Sequence, residues 1–90
     1  MRKFMVERDT GSITPEQART GAKRSNEVLR ELGPDIQWLE SFVTPNKVYC
    51  VYVAKDEEVV RKHSEMGPFT LSAIYEVTDV IDPTSPDEPG

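Results

Sequence analysis

The segment Lys47-Val48-Tyr49-Cys50-Val51-Tyr52-Val53-Ala54 has the strongest β-strand character in the chain. Valine and tyrosine make up most of it, and both favour β-strands because they pack well on a pleated surface. The stretch 36–43 is also rich in strand-forming residues, and the linker Thr44-Pro45-Asn46-Lys47 has the composition of a tight turn. We therefore predict that the two stretches form a β-hairpin.

A two-residue turn also predicts the register of this hairpin. Ser41 then lies opposite Cys50, and Glu40 lies opposite Val51. One face of the hairpin comprises Trp38, Glu40, Phe42, Tyr49, Val51 and Val53, and the other comprises Leu39, Ser41, Val43, Val48, Cys50 and Tyr52. Both faces are mainly apolar. The helices of so short a chain can cover only one face of a sheet, so the other face should pack on a partner or line a pocket.

Helix signals flank the hairpin on both sides. Thr14-Pro15-Glu16-Gln17 combines a capping box with proline at the first helical position, and Gly33-Pro34 stops that helix. Asp56 is a good cap for a second helix, which Gly67-Pro68 ends. The predicted elements outside the hairpin are strands at 4–8 and 72–81 and helices at 15–32 and 56–66. This order predicts an α+β, ferredoxin-like βαββαβ fold, in which a four-stranded antiparallel sheet carries two helices on one face.

Length and composition bound the organisation of the chain. Ninety residues allow one domain with a modest core, so a second copy covering the free sheet face would add stability. We therefore expect a homodimer. The ferredoxin-like domain is predicted at 1–81, and the acidic, proline-rich stretch 82–90 is predicted to be a flexible tail.

Charge and hydropathy disfavour two classes of partner. The net charge is −5, from 16 acidic and 11 basic residues, whereas nucleic-acid binding depends on clustered basic residues. No apolar run approaches the roughly 20 residues of a membrane span, and Glu7 interrupts the start of the chain before a signal-type apolar region develops. We therefore expect neither nucleic acid nor membrane as a partner. A single cysteine agrees with a cytoplasmic location, since it cannot form an internal disulfide.

Three residues are candidate metal ligands. Cys50 and His63 are the only cysteine and the only histidine, and together with the Glu40 carboxylate they suit nickel or another divalent transition metal. Cys50 can equally be a small buried apolar residue, and His63 a hydrogen-bonded, half-buried one. Glu40 lies between two aromatic residues of one strand face. Its carboxylate should therefore contact a cation, a metal, a hydrogen-bond donor or solvent.

Five stretches of the chain carry a family resemblance. They are Phe4 to Arg8, Trp38 to Val43, Tyr49 to Tyr52, Asp56 to His63 and Ile81 to Thr84. Together they resemble a small bacterial ferredoxin-like family of mostly unassigned function that includes a nickel-binding protein. The resemblance implies this fold, a tight homodimer, and nickel or a similar metal in at least one relative. The family pattern matches at Ser41, Cys50 and His63, which makes Cys50 and His63 the first ligand candidates, and it differs at Glu40, where many relatives have histidine.

These observations lead to three functional hypotheses. The first is a small, dimeric, non-catalytic metal-binding protein. The second is a cofactor-independent enzyme of the dimeric α+β barrel type, acting on a small organic substrate in a pocket between helices and sheet, with Tyr52 or His63 projecting inward. The third is an interaction module that acts through its sheet face. We expect binding rather than catalysis, because no third group marks Cys50 and His63 as a nucleophile and base.

Overall fold

The computed structural model describes residues 1–87. Its strands are β1 (Arg2–Arg8), β2 (Ile36–Val43), β3 (Val48–Ala54) and β4 (Ala73–Val77), and its helices are α1 (Pro15–Leu32) and α2 (Glu57–Met66). The sheet order is β2-β3-β1-β4, and every neighbouring pair is antiparallel. This arrangement confirms the predicted α+β ferredoxin-like fold.

Local signals set the beginnings of both helices. The Thr14 side chain accepts a hydrogen bond from the Gln17 backbone, and the Gln17 side chain accepts one from the Thr14 backbone, so the capping box is complete. In α2, the Asp56 carboxylate accepts from the Val59 backbone at 2.9 Å. Both helices therefore begin where the sequence predicts.

The hairpin has the predicted register near its turn but contains a bulge further along. Ser41 pairs with Cys50 as predicted, and the pairing then shifts between Trp38 and Glu40, so that Trp38 lies opposite Tyr52. Leu39 is the extra residue, and it moves Trp38 onto the sheet face that carries Cys50 and Tyr52. The prediction that Trp38 shares a face with Glu40 is therefore wrong. The Trp38 indole Nε1 donates to the Ser41 hydroxyl at 2.9 Å.

The two faces of the sheet have different surroundings. The inner face packs against the helices, and its core residues are Phe4, Val6, Ile36, Val48, Cys50, Tyr52 and Ala54, joined by Val60 of α2. The outer face carries Met5, Glu40, Phe42, Tyr49, Val51, Val53 and Tyr75. Phe42 and Tyr75 remain 49% and 55% exposed. As predicted, the helices cover only one face of the sheet within residues 1–87.

The last strand is shorter than predicted. β4 pairs only with β1, and the pairing ends where Val77 meets Lys3, near the start of the chain. Residues beyond Val77 have no strand beside them, so Val80 and Ile81 are exposed loop residues. The strand predicted at 72–81 is wrong in its second half for this reason.

The predicted tail lies partly outside the described residues. Ser85–Asp87 forms a short 3₁₀ turn, and residues 88–90 are not described. The domain boundary at 81 and the flexibility of 82–90 stay predictions.

Replacing Thr14 with alanine tests how much the cap contributes. We expect the free energy of unfolding to fall by about 1 kcal/mol, because the Gln17 backbone N–H loses its acceptor. Thr20→Ala, at an exposed position within α1, is the matched control. Urea unfolding should show no loss for it, since alanine is the better helix former. Equal losses in both variants would contradict the capping role.

Candidate functional site

A cavity of about 230 Å³ lies between α1 and the inner face of the sheet. Its lining comes from β1, α1, the hairpin, α2 and the loop that follows α2, and contains no aspartate or glutamate among the described residues. The lining residues able to do chemistry are Arg8, Ser25, Cys50, Tyr52 and His63.

Small residues on α1 leave this space open. Ala18, Gly21 and Ala22 face the cavity, and a Cβ atom placed on Gly21 would meet nothing within 4 Å. The wall opposite includes Val43 and Val48 of the hairpin. The cavity therefore exists because the helix presents short side chains to the sheet.

Arg8 holds a buried guanidinium at this cavity. The residue is only 5% exposed. Its Nε donates to Cys50 Sγ at 3.4 Å, and Nη2 donates to the Tyr52 hydroxyl at 3.0 Å. Its Nη1 donates to the Ser64 hydroxyl at 3.0 Å and to the Thr70 carbonyl at 2.8 Å. One side chain thus connects β1, β3, α2 and the loop after α2.

The charge of Arg8 has no carboxylate partner within residues 1–87. The ion pairs in that part of the chain join other residues, namely Arg2–Glu76, Lys47–Glu7, Lys55–Asp35 and Arg61–Glu57. The Phe69 ring lies 5.3 Å from the guanidinium carbon and partly stabilises the cation. Burial lowers the pKa of Arg8, but the adjacent Tyr52 and Cys50 raise it by more, so the group stays charged. The cavity is therefore electropositive.

Tyr52 keeps its phenolic proton. Burial raises the pKa of Tyr52 well above its ordinary value. Its oxygen accepts from Arg8, and a hydrogen bond with Cys50 also raises the pKa of Tyr52.

His63 is fully buried and neutral. Its Nε2 lies 3.1 Å from Ser25 Oγ, whereas Nδ1 has no hydrogen-bond partner within the described structure. The ring packs at 5.2 Å from the rings of both Tyr52 and Phe69. Burial, and secondarily the charge of Arg8, lowers the pKa of His63 to about 4. The imidazole of His63 is therefore uncharged in the core, and its Nδ1 has no hydrogen-bond partner within the described structure.

The structure brings together two of the three predicted ligands. Cys50 and His63 both line the cavity. Glu40 is exposed on the outer face, since it precedes the inward-facing Ser41 in a strand with alternating side chains. Residues 1–87 contain no group of three or more His, Cys, Asp or Glu side chains able to hold a metal. Within one subunit Glu40 thus lies apart from Cys50 and His63, and metal ligation by these three residues stays a prediction.

Arg8 is the site residue that sequence reasoning missed. Phe4 and Val6 are buried on one side of β1, and the alternation of side chains along a strand places Arg8 on that same side. The signal was available, but arginine at a strand end is ordinarily read as exposed.

The comparison with family models matches residues 4–77 to the family described as nickel responsive protein SCO4226-like. The chain belongs to this family. The matched residues include β1 from Phe4 onward, all of β2, β3 and β4, and all the cavity-lining positions. The fold is similar to the crystal structure of SCO4226 from Streptomyces coelicolor A3(2), with a TM-score of 0.79 and 18% identity, over 88% of this chain and 99% of that chain. At that identity the likeness shows the fold alone. The comparison with curated proteins finds no match.

Neither helix in residues 1–87 has the length and apolar character that crossing a bilayer requires.

The buried histidine predicts a pH dependence of stability. His63 has a pKa of about 4 when folded and about 6.5 when unfolded, so the unfolded chain takes up the proton first as pH falls. The free energy of unfolding should therefore decline from about pH 6.5 to about pH 4 and then stop responding to this group.

His63→Gln isolates that contribution and can keep the contact with Ser25. Between about pH 7 and pH 4.5, wild type should lose roughly 2 kcal/mol more than the variant in urea unfolding. Since the chain has one histidine, no other side chain has its ordinary pKa in this window. If the free energy of unfolding changed with pH in the same way for wild type and His63→Gln, a neutral, buried His63 would be contradicted.

Proposed function

We propose that the protein is a homodimer that binds nickel or a similar transition metal, with Cys50 and His63 as its ligands. The observation that carries the proposal is that the only thiol and a neutral imidazole with an unpartnered nitrogen line the same cavity. Sulfur and imidazole nitrogen are donors that suit nickel, zinc and copper. Membership of a family described as nickel responsive supports the choice of nickel.

The protonation state of His63 fits a ligand. A metal binds the neutral ring, and a pKa of about 4 keeps the ring neutral at physiological pH. If Nε2–H donates to Ser25 Oγ, then Nδ1 carries the free lone pair. Ser25 would then fix the ring orientation, as the hydrogen-bond partners of metal-bound histidines ordinarily do. The reducing cytoplasm that the sequence predicts would keep Cys50 free to ligate.

Arg8 limits the form in which a metal can bind. Its Nε donates to Cys50 Sγ, and its positive charge opposes a bare divalent cation in the same cavity. Two protein donors also leave most coordination positions of a metal open. We infer that additional small ligands, of negative overall charge, complete the coordination.

Nickel titration by calorimetry, in a buffer that contains chloride as a small anionic ligand, tests this proposal. Cys50→Ser and His63→Gln should each weaken nickel binding by at least about tenfold, because each removes a donor. Glu40→Gln is the matched control and should bind as wild type does, since Glu40 lies on the other sheet face. Circular dichroism establishes that each variant is folded. Absence of nickel binding to wild type, or a loss confined to Glu40→Gln, would contradict the proposal.

The outer face of the sheet supports the dimeric part of the proposal. Its apolar residues Met5, Phe42, Tyr49 and Tyr75 form a surface that no helix covers within the described chain, and Phe42 and Tyr75 are about half exposed. Self-complementary apolar patches are typical of two-fold symmetric dimers. Packing two outer faces together would bury these rings and leave both cavities intact.

Sedimentation velocity tests this interface. Wild type should sediment as a dimer at micromolar concentration, and Phe42→Glu combined with Tyr75→Glu should sediment as a monomer, since two buried charges without partners would oppose association. Thr20→Glu together with Asn26→Glu, at exposed positions of α1, is the charge-matched control. A monomeric wild type, or a dimeric double aromatic variant, would contradict the proposed interface.

A further inference from the structure

We propose that the cavity between α1 and the sheet binds a small organic monoanion, whose charged group pairs with Arg8 and whose apolar body lies against α1. This site goes beyond the proposed metal binding, because an anion can pair with Arg8 whether or not a metal is present.

The charge balance of the cavity favours an anion. Arg8 is a buried cation without a carboxylate partner within residues 1–87, and no acidic residue in that part of the chain lines the cavity. A buried charge without a counter-ion is costly, and a carboxylate that enters the cavity offsets this cost.

Hydrogen-bond donors are in surplus at the same place. A guanidinium has five N–H donors, and the Arg8 contacts use four, which leaves one on Nη2. The Ser41 hydroxyl accepts from Trp38, so its own proton is free to donate. A carboxylate only accepts hydrogen bonds and therefore complements this set.

The size and walls of the cavity define the rest of the ligand. A volume of about 230 Å³ is below the roughly 300 Å³ at which ordinary ligand pockets begin, which favours one ring or a short chain over a nucleotide. The walls include Ile13, Ala18, Ala22, Val43 and Phe69, which suit an apolar body. A second negative charge would lie unpaired against these side chains, so the ligand is a monoanion.

Benzoate and its neutral isostere benzamide test the proposal in the presence of a chelator, so that the outcome does not depend on metal. Calorimetry should show benzoate binding to wild type at least about tenfold more tightly than benzamide, because only benzoate pairs with Arg8. Arg8→Gln should remove this preference. Equal binding of the two compounds, or no binding of benzoate, would overturn the proposal.

A cavity-filling variant keeps the test valid if Arg8→Gln fails to fold. Gly21→Leu places a side chain in the open space while leaving Arg8 in place, and it removes a helix-weakening glycine. It should fold and lose benzoate binding. Thr20→Leu, at the adjacent exposed position, should bind as wild type does. If benzoate bound Gly21→Leu as tightly as wild type, it would be bound outside the cavity, for example at surface lysines. That result would overturn the proposal.

Discussion

The buried guanidinium of Arg8 is the interaction on which the rest of the structure depends. Its four hydrogen bonds reach Cys50 and Tyr52 in β3, Ser64 in α2 and the Thr70 carbonyl in the following loop. Removing a charge from water is costly, and these bonds offset that cost only while all the acceptors stay in place. Arg8 therefore fixes how α2 and its loop sit on the sheet. It also gives an otherwise apolar cavity a positive charge.

That charge constrains every function the cavity can serve. His63 is kept neutral partly by Arg8, which makes its imidazole a ligand or hydrogen-bond partner and not a second cation. A divalent metal can enter only with negative ligands, whereas an organic acid can enter alone. The family's description as nickel responsive and the proposed anion binding are compatible if the metal arrives with, or acquires, small anionic ligands.

Short sequence motifs were enough to predict the helices and the hairpin. The arrangement of the site depended on the register of the sheet, which such motifs do not determine. The capping box at Thr14 and the turn between β2 and β3 predicted the helix and the hairpin, because each signal acts within a few residues. The bulge at Leu39 is a single extra residue without a sequence mark, and it reversed the face of Trp38. Cys50 and His63 were predicted as a pair and do share the cavity. Glu40 lies on the hairpin face predicted for it, opposite the face of Cys50, and Arg8 was missed because an arginine at a strand end is ordinarily expected to be exposed.

We propose that the metal binds in the cavity next to Arg8 and not at exposed acidic residues. The addition of nickel to ¹⁵N-labelled protein tests this placement, because the paramagnetic ion broadens the amide signals nearest to it. We expect broadening to begin at Ser25, Cys50 and His63 and at the single indole N–H of Trp38. Broadening confined to Glu40 and to the acidic residues of 82–87, with the cavity signals unchanged, would contradict it.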